Sequence, residues 1–124
     1  MALEKPEIDR PEGIAPGELE VEELVEGEGP EALPGQDIEV HYVGVTFSSG
    51  EEFDSSWNRR EPLAFQLGVG QVIAGWDRGI AGMRVGGRRK LIIPSHLAYG
   101  EEGVGDAIGP DESLVFVVDL ISVS

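Results

Sequence analysis

The sequence predicts an α+β domain in which an antiparallel sheet wraps over one short helix. Three observations predict it. Period-two alternation of apolar and polar residues recurs in several separate segments, the pattern of strands buried on one face. A single stretch, Val72 to Met83, instead carries apolar residues at spacings of three and four. Finally, 18 Gly and 8 Pro in 124 residues cut the chain into short pieces.

Residues 1–17 contain Pro6, Pro11, Pro16 and Gly17 and few apolar side chains, which predicts an acidic, proline-rich arm, poorly ordered or strapped across the surface. The folded domain is expected over residues 18–124. Leu19-Glu20-Val21-Glu22 alternates, and Glu23-Leu24-Val25-Glu26 shifts phase, so a half-buried strand with a bulge or bend is expected. Gly27 to Pro30 and Pro34 to Asp37 are turn clusters. Ile38 to Val45 is the next strand, with Ile38, Val40 and Tyr42 on one face and Glu39 and His41 on the other. After the Ser48-Ser49-Gly50 turn the chain resumes at Glu51. Pro62 to Leu67 alternates again, with Leu63, Phe65 and Leu67 together.

In the helical stretch Ile73, Trp76, Ile80 and Met83 share a face, while Gly75, Gly79 and Gly82 each cost about 1 kcal/mol relative to Ala. Such glycines predict close approach to another backbone. Arg88 to Pro94 is a strand that begins basic and ends apolar, residues 98–112 form a Gly-rich loop, and the β-branched run Leu114 to Val123 is a central strand.

Composition narrows the function. The formal net charge is −15, which repels nucleic-acid phosphates. Residues 1–31 hold 11 acidic and 2 basic side chains, so the N-terminal quarter is either a solvated leader or an arm for basic partners. With no cysteine, disulfides and thiolate chemistry are excluded. The first sixteen residues have neither a basic start nor an apolar run, and no stretch reaches the ~18 apolar residues of a membrane span. The expectation is a cytoplasmic protein that contacts neither membrane nor nucleic acid.

Familiar catalytic sets are missing. There is no Gly-x-Ser-x-Gly elbow and no phosphate loop, and Gly68-Val69-Gly70 lacks the third glycine of a dinucleotide fingerprint. His41 and His96 lie far apart and read as surface or packing residues, so no metal or cofactor is expected. What stands out is a stock of aromatic residues beside loops: Tyr42, Phe47, Phe53, Trp57, Phe65, Trp76, Tyr99 and Phe116. A reaction served by such a pocket would need no nucleophile.

The order of motifs resembles a known family. Val40-His41-Tyr42-Val43-Gly44 precedes Gly50-Glu51-Glu52-Phe53-Asp54-Ser55-Ser56. Then follow Phe65-Gln66-Leu67-Gly68, Val72-Ile73-Ala74-Gly75-Trp76, Gly79-Ile80-Ala81-Gly82-Met83, Ala98-Tyr99-Gly100 and Leu114 to Leu120. Over about residues 20–124 the chain is similar to the FKBP family of macrolide-binding peptidyl-prolyl cis–trans isomerases. The resemblance implies a five- to six-stranded antiparallel half-barrel around one short helix, with a pocket between them. It implies Trp76 as the pocket floor and Tyr42, Phe53, Phe65 and Phe116 as walls. Asp54 would give a polar contact at the edge, Tyr99 a hydroxyl and Ile73 a backbone N–H, with Val72, Ile108 and Leu63 also binding substrate. Asp54 before Ser55-Ser56 also reads as a plain turn residue whose carboxylate bonds local N–H groups.

Leu63 stands where the family usually has Phe, and Val104, Ala107 and Gly109 replace bulkier residues or proline in the loop. The turn from Thr46 to Gly50 is one residue longer than in the smallest members. These departures bear on substrate preference and drug affinity. The implied activity is isomerisation of X–Pro bonds in protein folding, by a monomer acting on proline-containing polypeptides and binding macrolides such as tacrolimus or rapamycin. The alternative is a proline- or macrolide-binding module, or a chaperone, with little turnover.

Overall fold

The computed structural model describes residues 4–105 and 107–124. Six strands form one antiparallel sheet: β1 (Glu20–Val25), β2 (Asp37–Thr46), β3 (Glu52–Ser55), β4 (Leu63–Gln66), β5 (Arg88–Ile93) and β6 (Leu114–Val123). The order is β1-β5-β6-β2-β3, and β4 pairs with the same β2. The β-branched run of β6 is central, as its composition predicts: it pairs with β2 from Ile38↔Val123 to Thr46↔Leu114 and with β5 from Arg88↔Asp119 to Ile93↔Leu114.

β2 uses two partners along one edge. Asp37 to Val40 pair with β4, and Val43 to Val45 pair with β3. Between them the Tyr42 N–H would be left without a ladder partner. The fully buried Ser56 hydroxyl accepts it at 2.7 Å, from the start of α1 (Ser56–Arg59). A buried polar group is costly unless paired, so this bond fixes where α1 begins.

α2 (Ala74–Gly79) crosses the concave face of the sheet. It is shorter than the stretch from Val72 to Met83 suggests. Ile80 and Met83 are fully buried, but they reach the core from the turn that follows the helix, where Gly82 takes φ +90°. The helix is also not the only one: α1 and a 3₁₀ turn at Ser95–Leu97 add short helical pieces. Gly75 and Gly79 do mark a close approach, but to side chains rather than backbone. A Cβ on Gly75 would stand 2.5 Å from Ile93 Cγ2, and one on Gly79 2.8 Å from Leu91 Cδ2. The helix thus sits directly on the β5 side chains, and Trp76 is pressed into the centre of the core.

The phase shift in β1 is a bulge between Glu23 and Val25. Its expected half-burial is not seen. β1 is an edge strand whose residues are all exposed, with Val21 at 46% and Val25 at 50%. Alternation requires a covering layer to become burial, and only Leu19, just before the strand, packs against the core.

The arm lies along the outer face of the sheet. Residues Lys5 to Asp9 line a cavity with Val43, Val45, Gly50 and Glu52, and the Glu4 carbonyl accepts a bond from Arg88 Nη2 at 2.8 Å. Among the described residues, no helix is long and apolar enough to cross a membrane.

Candidate functional site

Between α2 and the concave sheet opens a cavity of about 410 Å³. It is lined by Tyr42 from β2, Phe53 and Asp54 from β3, Leu63 from β4, and Gln71, Val72, Ile73 and Trp76 from the turn and helix. Tyr99 and Phe116 complete it from the Gly-rich loop and β6.

The walls are a set of rings meeting edge to face. Trp76 is 4% exposed; its ring lies 4.9 Å from Tyr42 at 76° and 5.2 Å from Phe116 at 83°. Phe53 meets Phe116 at 5.6 Å and 84°. Each such pair aims a positive ring edge at a negative face and adds about 0.5–1.5 kcal/mol beyond area burial. Gly44 makes the arrangement possible, since a Cβ there would stand 2.6 Å from Phe116 Cε1 and 2.7 Å from Phe53 Cζ. The Trp76 indole N–H is buried and has no acceptor among the described residues.

One wall of this apolar cavity is polar. The Tyr42 hydroxyl donates to Asp54 Oδ2 at 2.5 Å, while Arg59 donates from Nη1 to Asp54 Oδ1 at 2.7 Å and from Nη2 to the Tyr42 oxygen at 2.8 Å. The Ser55 N–H adds a bond to Asp54 Oδ1 at 2.9 Å, so the turn-residue role read from the sequence coexists with the pocket role. Burial pushes the Asp54 carboxyl up, but the bonds from Tyr42 and Arg59 outweigh it and hold it below its ordinary value. Asp54 therefore remains an anion and an acceptor. The Tyr42 hydroxyl is pushed up, first by burial and then by its bond to Asp54, against the opposing pull of Arg59. Burial, with the Asp54 charge second, also raises Tyr99. Both phenols remain protonated donors at neutral pH.

Of the residues singled out from the sequence, Tyr42, Phe53, Asp54, Leu63, Val72, Ile73, Trp76, Tyr99 and Phe116 line the cavity together. Phe65 and Ile108 do not. Phe65 is 8% exposed and backs Trp76 at 5.7 Å; Ile108 is 4% exposed and belongs to the core under the loop, where it bridges to Val104. Both support the wall without forming it. Trp57 stacks on His41 at 4.2 Å outside the cavity, and His41 Nδ1 shares a 2.8 Å bond with the Ser56 hydroxyl. His41 is thus a packing residue, and His96 is exposed. Sequence reasoning missed Gln71 and Arg59. Gln71 Oε1 accepts the Gln66 N–H at 2.8 Å and closes the turn before Val72. The one available signal for Arg59 was a base five residues after Asp54. No cluster of three or more metal-ligating side chains occurs among the described residues.

Comparison with known proteins places this geometry. Residues 29–121 match the FKBP_C family, described as FKBP-type peptidyl-prolyl cis-trans isomerase. The chain belongs to this family. It is 60% identical to an FK506-binding protein of Streptomyces anulatus, over 99% of this chain and all of that protein. It is 58% identical to the peptidyl-prolyl cis-trans isomerase FPR2 of Saccharomyces cerevisiae, over 74% of this chain and 68% of that one. The solved structure of AtFKBP13 superposes with a TM-score of 0.80 at 43% identity, covering 90% of this chain and 97% of that one. This FKBP domain is therefore a peptidyl-prolyl isomerase with the six-stranded open sheet of its structural relatives.

Proposed function

We propose that the cavity floored by Trp76 is where this FKBP domain rotates the X–Pro bond, and that Tyr42, Phe53, Asp54, Tyr99 and Phe116 are its working walls. The observation that carries the proposal is an apolar ring cage, open on one side, with a single anionic wall. Resonance gives the amide its planarity and a barrier of about 18–20 kcal/mol. At the twisted transition state that resonance is lost, and the carbonyl oxygen carries less negative charge. A water-poor aromatic pocket favours the less polar twisted amide over the planar one, which is differential binding of the transition state. Lowering the barrier by ~5 kcal/mol corresponds to several thousand-fold in rate.

The proline ring sits over the Trp76 indole, between Tyr42, Phe53 and Phe116. The Ile73 N–H, just before α2, and the Tyr99 hydroxyl, on a residue 41% exposed at the mouth, donate to carbonyl oxygens of the flanking peptide. Phe65 and Ile108 hold this arrangement from behind. Relatives carry the name FK506-binding protein, and the same cavity takes tacrolimus-like macrolides, whose ring presents a proline-like group to it. Substrates are proline-containing segments of other polypeptides, and the domain works as a monomer.

The test is the cis–trans relaxation of a Leu-Pro peptide with wild type, Tyr99→Phe and Trp76→Phe. The Trp76 substitution removes no hydrogen bond made among the described residues, so its fold should survive. Reduced acceleration in both folded variants supports the assignment; wild-type rates in both would sink it.

A further inference from the structure

We propose that Lys5, in the N-terminal arm, is a positioning residue for the polar wall of the pocket; this deepens the pocket reading above and rests on it. α1 is four residues long, has no side-chain cap bond, and ends on Arg60 in the left-handed region at φ +55°. A helix this short cannot hold itself together, because nucleation is unfavourable and a single turn gains few bonds. Its place depends on tethers from outside, and α1 carries Arg59, which bonds both Asp54 and Tyr42.

Lys5 provides such a tether. Its ammonium lies 2.8 Å from Glu52 Oε1 and donates to Asn58 Oδ1 at 2.9 Å, while Asn58 Nδ2 donates to Glu52 Oε2 at 3.0 Å. The three side chains close a ring at the two ends of the segment that presents Phe53 and Asp54. Asn58 is the neighbour of Arg59 in the chain. Lys5 in turn is held from the other side. The adjacent Glu4 carbonyl accepts from Arg88 Nη2 at 2.8 Å, and Arg88 Nε pairs at 2.7 Å with Asp119, which is 2% exposed in the centre of the sheet. The arm is thus a strut from the Arg88–Asp119 ion pair of β5–β6, in which only the carboxylate is buried, to the β3–α1 segment that carries one wall of the cavity. Without Lys5, Glu52 and Asn58 lose the cation that joins them and Asn58 keeps only its bond to Glu52, so the Arg59 guanidinium is held less firmly over Asp54 and Tyr42.

The test compares full-length wild type, Lys5→Ala, Lys5→Arg and Glu52→Gln in catalysed relaxation of a Leu-Pro peptide. Measurements are made in ~20 mM and ~1 M NaCl, with thermal unfolding alongside. The clamp is partly exposed, with Lys5 and Glu52 side chains at 38% and 34%. The expected loss of kcat/KM in Lys5→Ala and Glu52→Gln at low salt is therefore about two- to fivefold. Lys5→Arg restores the wild-type rate, and the gap between wild type and Lys5→Ala closes in high salt. Equal rates for wild type and Lys5→Ala at low salt would overturn the proposal. So would a loss that persists undiminished in ~1 M NaCl, or one that Lys5→Arg fails to restore. Failure of the pocket reading registers separately, as wild-type rates in Tyr99→Phe and Trp76→Phe whatever Lys5 does.

Discussion

Substituting Gly75 and Gly79 separately by Ala tests how α2 is seated. The Cβ added at Gly75 would meet three atoms of one side chain, Ile93 Cγ2 at 2.5 Å, Cδ1 at 2.7 Å and Cγ1 at 2.9 Å. Ile93 is fully buried and β-branched, so its χ1 is stiff and it has nowhere to turn. Overpacking a filled site costs about 1–3 kcal/mol, and this geometry belongs in the upper half of that range. Replacing a helical glycine returns at most ~1 kcal/mol. Gly75→Ala is therefore expected to destabilise by about 1–2 kcal/mol, a loss of roughly 3–10 °C for a chain of this size. At Gly79 the Cβ would touch Leu91 Cδ2 at 2.8 Å and Cδ1 at 3.0 Å, the ends of a flexible side chain. There strain and helix propensity nearly cancel, and the net effect should lie within ~0.5 kcal/mol of zero. Urea unfolding followed by Trp fluorescence reads both variants, with an unchanged m-value as the check that the midpoint shift reports stability. Because Trp76 follows Gly75, the same shift lifts the pocket floor, and peptide isomerisation should fall more in Gly75→Ala than in Gly79→Ala. A Gly75→Ala protein as stable as wild type, or less affected than Gly79→Ala, would refute the seating of α2 on β5.

Two further perturbations address charge and specificity. Asp119 lies opposite His41 across β2–β6, and its carboxyl is raised above the ordinary value by burial, against the opposing bond and charge of Arg88 and the charge of His41; Oδ2 is buried without a partner among the described residues. A raised folded pKa means that the native state binds the proton more tightly. The stabilisation is full below the unfolded value of about 3.9 and is lost as pH rises through the folded one. The stability of wild type relative to Asp119→Asn should accordingly increase as pH is lowered through that window in urea titrations, and a flat or falling difference would contradict it. At the rim, Leu63 lines the cavity and is half-buried, and an aromatic ring there would add about 40 Å² of apolar contact, or ~1 kcal/mol. Leu63→Phe should tighten tacrolimus about fivefold by fluorescence titration. Unchanged binding would show that residue 63 does not reach the ligand, and weaker binding that the added ring clashes there.

Two of the strands, β2 and β4, were legible because side-chain alternation is imposed by the pleat itself, whereas β6, buried on both faces, was legible from its unbroken β-branched run. What alternation does not report is whether anything covers the face it creates. β1 has the pattern yet lies exposed at the edge of the sheet. The helix was overextended for a related reason. Apolar spacing in Ile80 and Met83 records that both face the core, and a chain leaving a helix through a glycine at φ +90° keeps them there without helical bonds. α1 was invisible, since four residues are too few to show a period. Its start follows from a buried N–H on Tyr42 that Ser56 satisfies, a constraint carried by topology.

The same distinction separates the parts of the pocket that sequence revealed from those it did not. Its aromatic residues are recognisable by motif order, but Phe65 and Phe116 look alike in a sequence, and only the fold puts one behind Trp76 and the other beside the cavity. A pocket of this kind is a stretch of core left uncovered on one side, so its walls and its backing obey the same pattern. The polar residues that give the opening a direction follow no pattern at all. Arg59 gains its role from the short helix α1, which places it over Asp54 and Tyr42, and Gln71 from a turn that leads into Val72 and Ile73. Ring packing therefore fixes what the cavity is, whereas hydrogen bonds from α1 and from the turn before Val72 fix the polar groups at its opening. Substitutions in the first group should cost stability and activity together, and those in the second should alter preference among X–Pro sequences while the fold stays intact.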